Sequence, residues 1–221
     1  MKLILSGGGK GKQTKEIDSL FFEFVKNGKV IFIPHSREKE EFESSLSWIT
    51  ENLFLPFEHK NYEMWTDLKN KSIKDLEGVR GIVIGGGNTF QLLKELKDSH
   101  FFKTLREFIK INGVVYGISA GAIILTKSII TAKPLDENKI GLANLDGMNL
   151  LGEIGIFCHY EKKYDEEIFK IIKKEDIDII CLPEGTGIYL ENSFKKIIGL
   201  NSAFLFSKEG SKKELKVGKE I

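Results

Sequence analysis

A chain of 221 residues is long enough for one sizeable domain and short for two. Its 33 basic and 32 acidic residues leave a net charge of +1, which excludes a strong electrostatic attraction to nucleic acid or to an anionic membrane. The apolar run from Leu3 to Leu5 is too short for a signal peptide, and no stretch approaches the roughly 18 apolar residues of a membrane helix. Cys158 and Cys181 form neither a disulfide framework nor a zinc-binding spacing, so we expect a cytoplasmic enzyme or binding domain without a metal site.

Short apolar runs alternate along the chain with longer helical patterns, which is typical of a parallel α/β sheet. The predicted strands, in chain order, are Leu3–Ser6, Val30–Pro34, Gly81–Ile84, Val114–Ile118 and Ile179–Leu182. The predicted helices are Gln13–Lys26, Glu40–Leu53, Thr89–Lys97, Phe101–Asn112 and Asp165–Lys174. The fourth of these helices has Asp98 or Ser99 as a candidate N-cap and Gly113 just past its end.

The pattern changes after Gly185. The segments GIYLEN, KKIIGL and AFLFSKEG are typical of short strands, with turns at Asn192-Ser193 and Asn201-Ser202, so the chain is expected to end in antiparallel structure. No repeat, low-complexity tract or linker divides the sequence. The predicted fold is an α/β three-layer sandwich with a mostly parallel central sheet and an antiparallel C-terminal extension, in a single domain over residues 1–221.

A glycine-rich loop, SGGGKGKQT at residues 6–14, follows the first predicted strand and opens a helix, which is the position of a phosphate-binding loop. The P-loop pattern requires Ser or Thr after Gly-Lys, but Gln13 follows Lys12, and Ser6 stands where the first glycine is needed. The dinucleotide-binding pattern would need a glycine at position 12. We therefore expect a turn that lets the backbone approach another loop, and neither a nucleotide site nor a cofactor.

The segment Gly117-Ile118-Ser119-Ala120-Gly121 matches G-x-S-x-G, the nucleophile elbow of serine hydrolases. A tight turn between a strand and a helix forces the serine into strained backbone geometry and leaves no room for neighbouring side chains. Ser119 would project above the edge of the sheet, at the amino end of a helix that is expected to run through Ile123 to Thr126. That helix end would help to stabilise developing negative charge.

A second glycine-rich loop, Gly85-Gly86-Gly87-Asn88-Thr89, also lies between a strand and a helix. Its backbone N–H groups are candidates for an oxyanion hole, which needs donors that are fixed in advance, and Ala120, the residue after the nucleophile, would supply the second donor. Asn88 either caps the following helix or holds a substrate amide.

A general base must reach Ser119, and the chain has four histidines. His59 and His100 lie in charged or helix-start contexts and are expected on the surface. His35 follows the second predicted strand and is a weak candidate. His159 ends an apolar run downstream of the serine, so His159 is the predicted base.

The acid that orients the base has two candidates. Glu184 stands in LPEGT, directly after an apolar strand, whereas Asp136 stands in KPLDE, 17 residues after Ser119. A carboxylate at the end of a strand is well placed to fix the histidine tautomer and to stabilise the imidazolium. Glu184 meets that requirement better, while Asp136 remains an alternative and Asp146 is expected to be a turn residue.

Four segments together resemble the peptidase E and cyanophycinase family of serine peptidases, which has a class I glutamine amidotransferase-like fold. They are GGGNTFQLL at 85–93, GISAGAIIL at 117–125, the segment around His159, and LPEGTGI at 182–188. The resemblance covers most of the chain. It implies Ser119 as nucleophile, His159 as base, and Gly86 or Gly87 with Ala120 as oxyanion donors, in an enzyme that cleaves a small peptide substrate through an acyl-enzyme.

Members of this family differ in the third residue of the triad. Some have a glutamate at the position that matches Glu184, and the dipeptidase has an aspartate in the loop near Asp136. That loop is shifted by one residue here, which favours Glu184. The aspartyl dipeptidases are also expected to have a basic residue after the histidine, typically arginine, whereas this chain has only Lys162 and Lys163, so the sequence does not predict a preference for an amino-terminal aspartate.

Two other classes of function stay open on the sequence alone. One is an amidotransferase-like hydrolase of a non-peptide amide, for which Cys158 is the cysteine to test, although it does not lie on the elbow. The other is a binding protein that kept the fold without activity. The sequence leaves the oligomeric state open between monomer and homodimer.

Overall fold

The computed structural model describes residues 1–221 and contains two β-sheets and six α-helices. The strands are β1 (Lys2–Ser6), β2 (Lys29–Ile33), β3 (Tyr62–Met64), β4 (Val79–Ile84), β5 (Val114–Ile118), β6 (Ile154–Phe157), β7 (Asp178–Cys181), β8 (Thr186–Glu191), β9 (Phe194–Gly199), β10 (Ala203–Phe206) and β11 (Lys212–Leu215). The helices are α1 (Lys15–Val25), α2 (Phe42–Ile49), α3 (Thr89–Asp98), α4 (Phe101–Lys110), α5 (Ala120–Ile123) and α6 (Asp165–Glu175). The longest helices have 11 residues, and none is both long and apolar enough to cross a membrane.

The large sheet has seven strands in the order β3-β2-β4-β5-β1-β8-β9. The five strands from β3 to β1 are parallel, and the hairpin β8–β9 adds two antiparallel strands at the edge. Asn192 and Ser193 form the two-residue turn of that hairpin, with Asn192 at a φ of 54°. The predicted mostly parallel sheet with an antiparallel extension is therefore confirmed.

Helices cover both faces of this sheet because its buried strands carry apolar side chains on both sides. Leu3 and Leu5 of β1 point to one face, where α3 and α4 pack, and Ile4 points to the other face, where α1 and the end of α2 pack. Helix α1 buries Ile17, Phe21 and Val25, which are four residues apart and so lie on one stripe. The result is the predicted three-layer arrangement.

A second sheet of four strands, in the order β11-β10-β7-β6, was not predicted. The predicted strand Ile179–Leu182 is β7, and it belongs to this smaller sheet rather than to the central one. An apolar run predicts a buried strand but carries no information about which sheet the strand joins. Strands β3, β6 and β11 are also absent from the predicted strands. All three are short, β6 was recognised only as the apolar run before His159, and β11 is mostly exposed and lacks an apolar pattern.

Helix boundaries differ from the prediction by up to four residues, most clearly at α2, α4 and α5. Helix α2 spans Phe42–Ile49 instead of residues 40–53, and a π-helical turn continues it over Thr50–Phe54. The N-cap of α4 is His100 with a φ of 63°, rather than Asp98 or Ser99. Helix α5 ends at Ile123 and does not continue to Thr126 as an α-helix.

Candidate active site

Ser119 lies on the turn between β5 and α5 in strained backbone geometry, with φ 51° and ψ −108°. A non-glycine residue in this region costs about 1–3 kcal/mol, which the surrounding packing has to offset. A Cβ atom added to Gly117 would lie 2.4 Å from the Gly121 carbonyl oxygen, and one added to Gly121 would lie 2.3 Å from the Ile84 carbonyl oxygen. The two glycines therefore permit the close packing that the elbow pattern predicts.

His159 follows β6, and its Nε2 atom lies 2.9 Å from the Ser119 Oγ atom. The backbone N–H of His159 donates to the Gly7 carbonyl oxygen at 2.9 Å, which fixes this segment against the end of β1. A Cβ atom added to Gly8 would lie 2.2 Å from Cε1 of the His159 ring. The expectation that the 6–14 loop lets the backbone approach another loop is thus confirmed, and the group that it approaches is the imidazole.

Glu184 follows β7, and its Oε1 atom lies 3.2 Å from the second ring nitrogen of His159, Nδ1. The two side chains are 40% (His159) and 50% (Glu184) exposed, so the pair lies at the surface of the protein. A carboxylate that accepts from Nδ1–H leaves Nε2 without a proton and able to accept from the Ser119 hydroxyl. The structure thus joins Ser119, His159 and Glu184 in one chain of hydrogen bonds.

The alternative acid, Asp136, is bound elsewhere. Its Oδ2 atom accepts from the backbone N–H of Thr89 at 2.8 Å and from the Thr89 hydroxyl at 2.5 Å. Asp136 therefore fixes the start of α3 and makes no hydrogen bond with His159. The sequence analysis favoured Glu184 because it directly follows a strand, but it could not show that Asp136 is bound to the start of α3.

The 85–89 loop presents two unused donors beside Ser119. The Gly85 N–H donates to Ile33 and the Asn88 N–H donates to Ser36, whereas the N–H groups of Gly86 and Gly87 have no acceptor in the protein. A Cβ atom added to Gly86 would lie 3.9 Å from the Ser119 Oγ atom, so this residue adjoins the nucleophile.

Ala120 is the first residue of α5, where a helix leaves its N–H groups without intrahelical partners. With only four residues, α5 adds this local donor rather than the field of a longer helix.

Asn88 caps α3. Its side-chain oxygen accepts from the Gln91 N–H at 3.0 Å, and its amide nitrogen donates to the Glu137 carbonyl oxygen at 2.8 Å. The structure therefore shows the capping role, one of the two roles that the sequence left open for Asn88.

The other histidines and the cysteine beside His159 do not reach the cleft. His35 is 3% exposed and packs on the Phe42 ring, with its pKa lowered by burial. The prediction of a surface position for His59 was wrong: its ring is 7% exposed and lies between Phe22 and Phe54. Cys158 is 1% exposed, and burial raises the pKa of its thiol, which disfavours the thiolate needed for nucleophilic chemistry.

A cleft of about 600 Å³ opens over Ser119, a volume typical of small-molecule sites. Besides the predicted residues, it is lined by side chains that the sequence analysis did not single out, above all Lys10, Arg37, Glu41 and Trp48. Their only signal in the sequence is their position just after the ends of predicted strands or on the helix that follows. Lys162 and Lys163 do not line the cleft; both are exposed, and Lys163 pairs with Glu161.

The fold and the Ser–His–Glu chain of hydrogen bonds are those of a serine hydrolase. The family model described as "Peptidase family S51" matches residues 3–198 of this chain. The chain therefore belongs to peptidase family S51 and is a serine-type peptidase.

Known proteins resemble the chain over most of its length. An uncharacterised peptidase of Listeria monocytogenes is 31% identical over 176 residues, which cover 73% of this chain and 81% of the relative. A Drosophila melanogaster protein named "Probable alpha-aspartyl dipeptidase" is 25% identical over 210 residues, which cover 83% and 87%.

Two solved structures share the fold. A protein from Listeria monocytogenes proposed to be a peptidase E superposes with a TM-score of 0.71 and 26% identity, covering 90% of this chain and 98% of that one. A peptidase from an acI-B1 Actinobacterium superposes with a TM-score of 0.76 over 100% of this chain and 96% of that one, and at 14% identity it shows the fold alone.

Proposed function

We propose that the protein hydrolyses short peptides, dipeptides above all, through an acyl-enzyme formed on Ser119. The observation that carries this proposal is the pair of distances at His159, 2.9 Å to the Ser119 hydroxyl and 3.2 Å to the Glu184 carboxylate. The small cleft and the relatives named as peptidase E and as an aspartyl dipeptidase support a short substrate.

The reaction has two steps. The Ser119 oxygen attacks the scissile carbonyl carbon while His159 Nε2 takes the hydroxyl proton, and the same proton then passes to the amine that leaves when the C–N bond breaks. In the second step a water molecule gives a proton to His159 and attacks the acyl carbon. The C–O bond to Ser119 breaks, the serine recovers its proton from His159, and the carboxylic acid product is released.

The remaining groups stabilise charge in both steps. Glu184 stabilises the imidazolium form of His159, and the N–H groups of Ala120 and of Gly86 or Gly87 donate to the oxyanion of the tetrahedral intermediates. Each oxyanion donor of this kind contributes about 10²–10³ to turnover in serine hydrolases.

A fluorophosphonate probe tests the nucleophile directly. We expect the wild-type protein to be labelled and Ser119→Ala to lose the label. Ser47→Ala is the control, because Ser47 is an exposed serine on α2 whose hydroxyl donates only to the Glu43 carbonyl oxygen. Equal labelling of Ser119→Ala and wild type would remove Ser119 from the mechanism, and turnover of a dipeptide library by wild type but not by Ser119→Ala would establish the peptide substrate.

A further inference from the structure

Arg37 is a cation held at the edge of the oxyanion loop. Its Nε–H donates to the Gly86 carbonyl oxygen at 3.2 Å. The backbone on either side is also fixed: the Ser36 hydroxyl donates to the same oxygen at 2.8 Å, and the Gln91 side chain donates to the Arg37 carbonyl oxygen at 2.7 Å. Arg37 therefore has a defined position relative to the loop that adjoins Ser119.

The outer nitrogens of this guanidinium have no hydrogen-bond acceptor in the protein. The one nearby carboxylate is Glu41, whose Oε1 atom lies 3.7 Å from Nη1, beyond hydrogen-bonding distance, and both side chains are about half exposed. Two N–H groups of a guanidinium lie in one plane and match the two oxygens of a carboxylate. Arg37 is thus held through Nε on the wall of the cleft, and its outer N–H groups, which are within ion-pair distance of Glu41 but make no hydrogen bond to it, can bind a carboxylate.

Gly86 lies next to both this cation and the nucleophile. Its carbonyl oxygen accepts from Arg37 Nε–H at 3.2 Å, and a Cβ atom added to it would lie 3.9 Å from the Ser119 Oγ atom. Arg37 and Ser119 therefore adjoin the same residue of the oxyanion loop. In a dipeptide the scissile carbonyl and the terminal carboxylate belong to neighbouring residues, whose Cα atoms are about 3.8 Å apart.

We propose that Arg37 binds a carboxylate of the peptide substrate and thereby selects short peptides; this inference rests on the proposed function. The terminal carboxylate of the residue after the scissile bond and an acidic side chain of the residue before it both present this chemistry, and the test distinguishes them. Lys10, the other cation of the cleft, has no hydrogen bond that fixes its ammonium group, so it lacks this selectivity.

The test compares pairs of substrates that differ only in one charge. Values of kcat/KM are measured for the best-cleaved dipeptide and its C-terminal amide, and for Asp-X and Asn-X dipeptides, with wild type, Arg37→Gln, Lys10→Gln and Arg80→Gln. Arg80 is the matched control, since it is an exposed arginine at the start of β4, outside the cleft. We expect wild type to prefer the charged member of one pair by about 10- to 100-fold, the range of a charge-assisted hydrogen bond.

Arg37→Gln is expected to abolish that preference, while Arg80→Gln and Lys10→Gln keep it. If the preference is lost between the dipeptide and its amide, Arg37 binds the terminal carboxylate. If it is lost between Asp-X and Asn-X, Arg37 binds the acidic side chain. Because each ratio is taken within one variant, any loss common to both substrates, for example through a shifted Gly86 loop, cancels. The proposal is overturned if wild type shows no preference in either pair, if Arg37→Gln keeps the wild-type ratio, or if Lys10→Gln abolishes it. Fluorophosphonate labelling of wild type reports on the proposed function separately.

Discussion

Two of the residues at the centre of the candidate site have backbone angles that side chains rarely adopt. Ser119 has a φ of 51° and His159 a φ of 50°. Each costs about 1–3 kcal/mol, and each is retained because the packing around it leaves no alternative. The glycines that surround them, Gly117, Gly121 and Gly8, are therefore part of the site although they carry no functional group.

Glu184 provides a test of the triad at a single residue. In Glu184→Gln the amide keeps the shape of the side chain but removes the charge that stabilises the imidazolium. We expect kcat to fall by about 10²–10³-fold with little change in KM, less than for a buried triad acid because Glu184 is half exposed. Steady-state kinetics checks this, with Glu161→Gln as the control, since Glu161 is exposed and pairs only with Lys163. Retention of more than a third of wild-type kcat in Glu184→Gln would contradict the assignment.

Asp18 makes the stability of the protein depend on pH. It is 3% exposed, and burial raises its pKa from 3.8 to about 6, although Tyr116 and Thr14 donate hydrogen bonds to its carboxylate. Because the folded state binds this proton more tightly, the stabilisation is complete below about pH 4 and is lost as the pH rises through 6.

Asp18→Asn cannot ionise, so its free energy of unfolding does not change with this proton. We therefore expect its stability relative to wild type to rise by roughly 2 kcal/mol between pH 4 and pH 7, given a wild-type pKa raised to about 6. Urea unfolding at a series of pH values measures this difference. Asp176→Asn is the control because Asp176 is an exposed aspartate at the end of α6. Parallel curves for Asp18→Asn and wild type would contradict the expectation.

The sequence predicted the residues that follow strand ends, and it missed those whose role depends on a distant partner. Ser119, His159 and Glu184 were predicted because each follows a strand or an apolar run, although the strands that carry them belong to two sheets. Arg37 was missed because an exposed arginine in a polar loop has no local pattern. His59 was misplaced because its charged neighbours indicate a surface position, whereas the rings that bury it come from elements that only the fold brings together.

At the scale of elements, the Gly7–Gly9 loop brings the end of β1 against the imidazole. Gly8 has a φ of 110°, so an alanine there is strained, and its Cβ atom would also overlap the His159 ring. Gly152 has a φ of 76° and nothing within 4 Å of an added Cβ, so it shares the strain without the overlap.

We expect Gly8→Ala to lower kcat/KM by at least about 10²-fold, because displacing a catalytic group by about 1 Å has an effect of this size. Gly152→Ala is expected to keep wild-type activity. Both variants are expected to lose about 1 kcal/mol of stability from the backbone strain. Dipeptide hydrolysis and thermal unfolding of the two variants check this. Equal activity of Gly8→Ala and wild type would show that the loop does not position the imidazole.

The secondary-structure elements also differ in how well the sequence predicts them. Strands β1, β2, β4 and β5 of the parallel sheet and helices α1, α3, α4 and α6 follow from apolar periodicity, because their buried side chains recur at a regular spacing along each element. The assignment of β6 and β7 to a second sheet depends on pairing with β10, which the pattern of a single strand does not encode. The sequence thus predicted His159 as the base but not the small sheet that positions it.

At the scale of the whole molecule, the candidate triad is built by both sheets. Ser119 follows a strand of the large sheet, whereas His159 and Glu184 follow strands of the small one. A single apolar cluster joins the sheets and includes Leu5 of the first and Ile180 of the second. We therefore expect the two sheets to unfold together as one domain.

Phe206 tests this cooperativity. It is fully buried in the small sheet, 5.1 Å from the Phe169 ring, so Phe206→Ala should lose about 3–5 kcal/mol of stability. Phe194→Ala is the control, because Phe194 is 39% exposed. We expect urea curves measured by circular dichroism and by dipeptide hydrolysis to coincide in every variant. Loss of hydrolysis at a lower urea concentration than loss of ellipticity would show that the small sheet unfolds separately.

The position of β1 between β5 and β8 also bears on how the protein is made. Lys2 pairs with Val114 on one side and with Glu191 on the other, so neither edge of β1 is covered until β5 and β8, both far along the chain, have been synthesised. Such long-range pairing is slow, and open strand edges favour aggregation in the meantime. An incomplete translation product that ends before β6 therefore exposes unpaired strand edges and lacks the histidine that would activate Ser119.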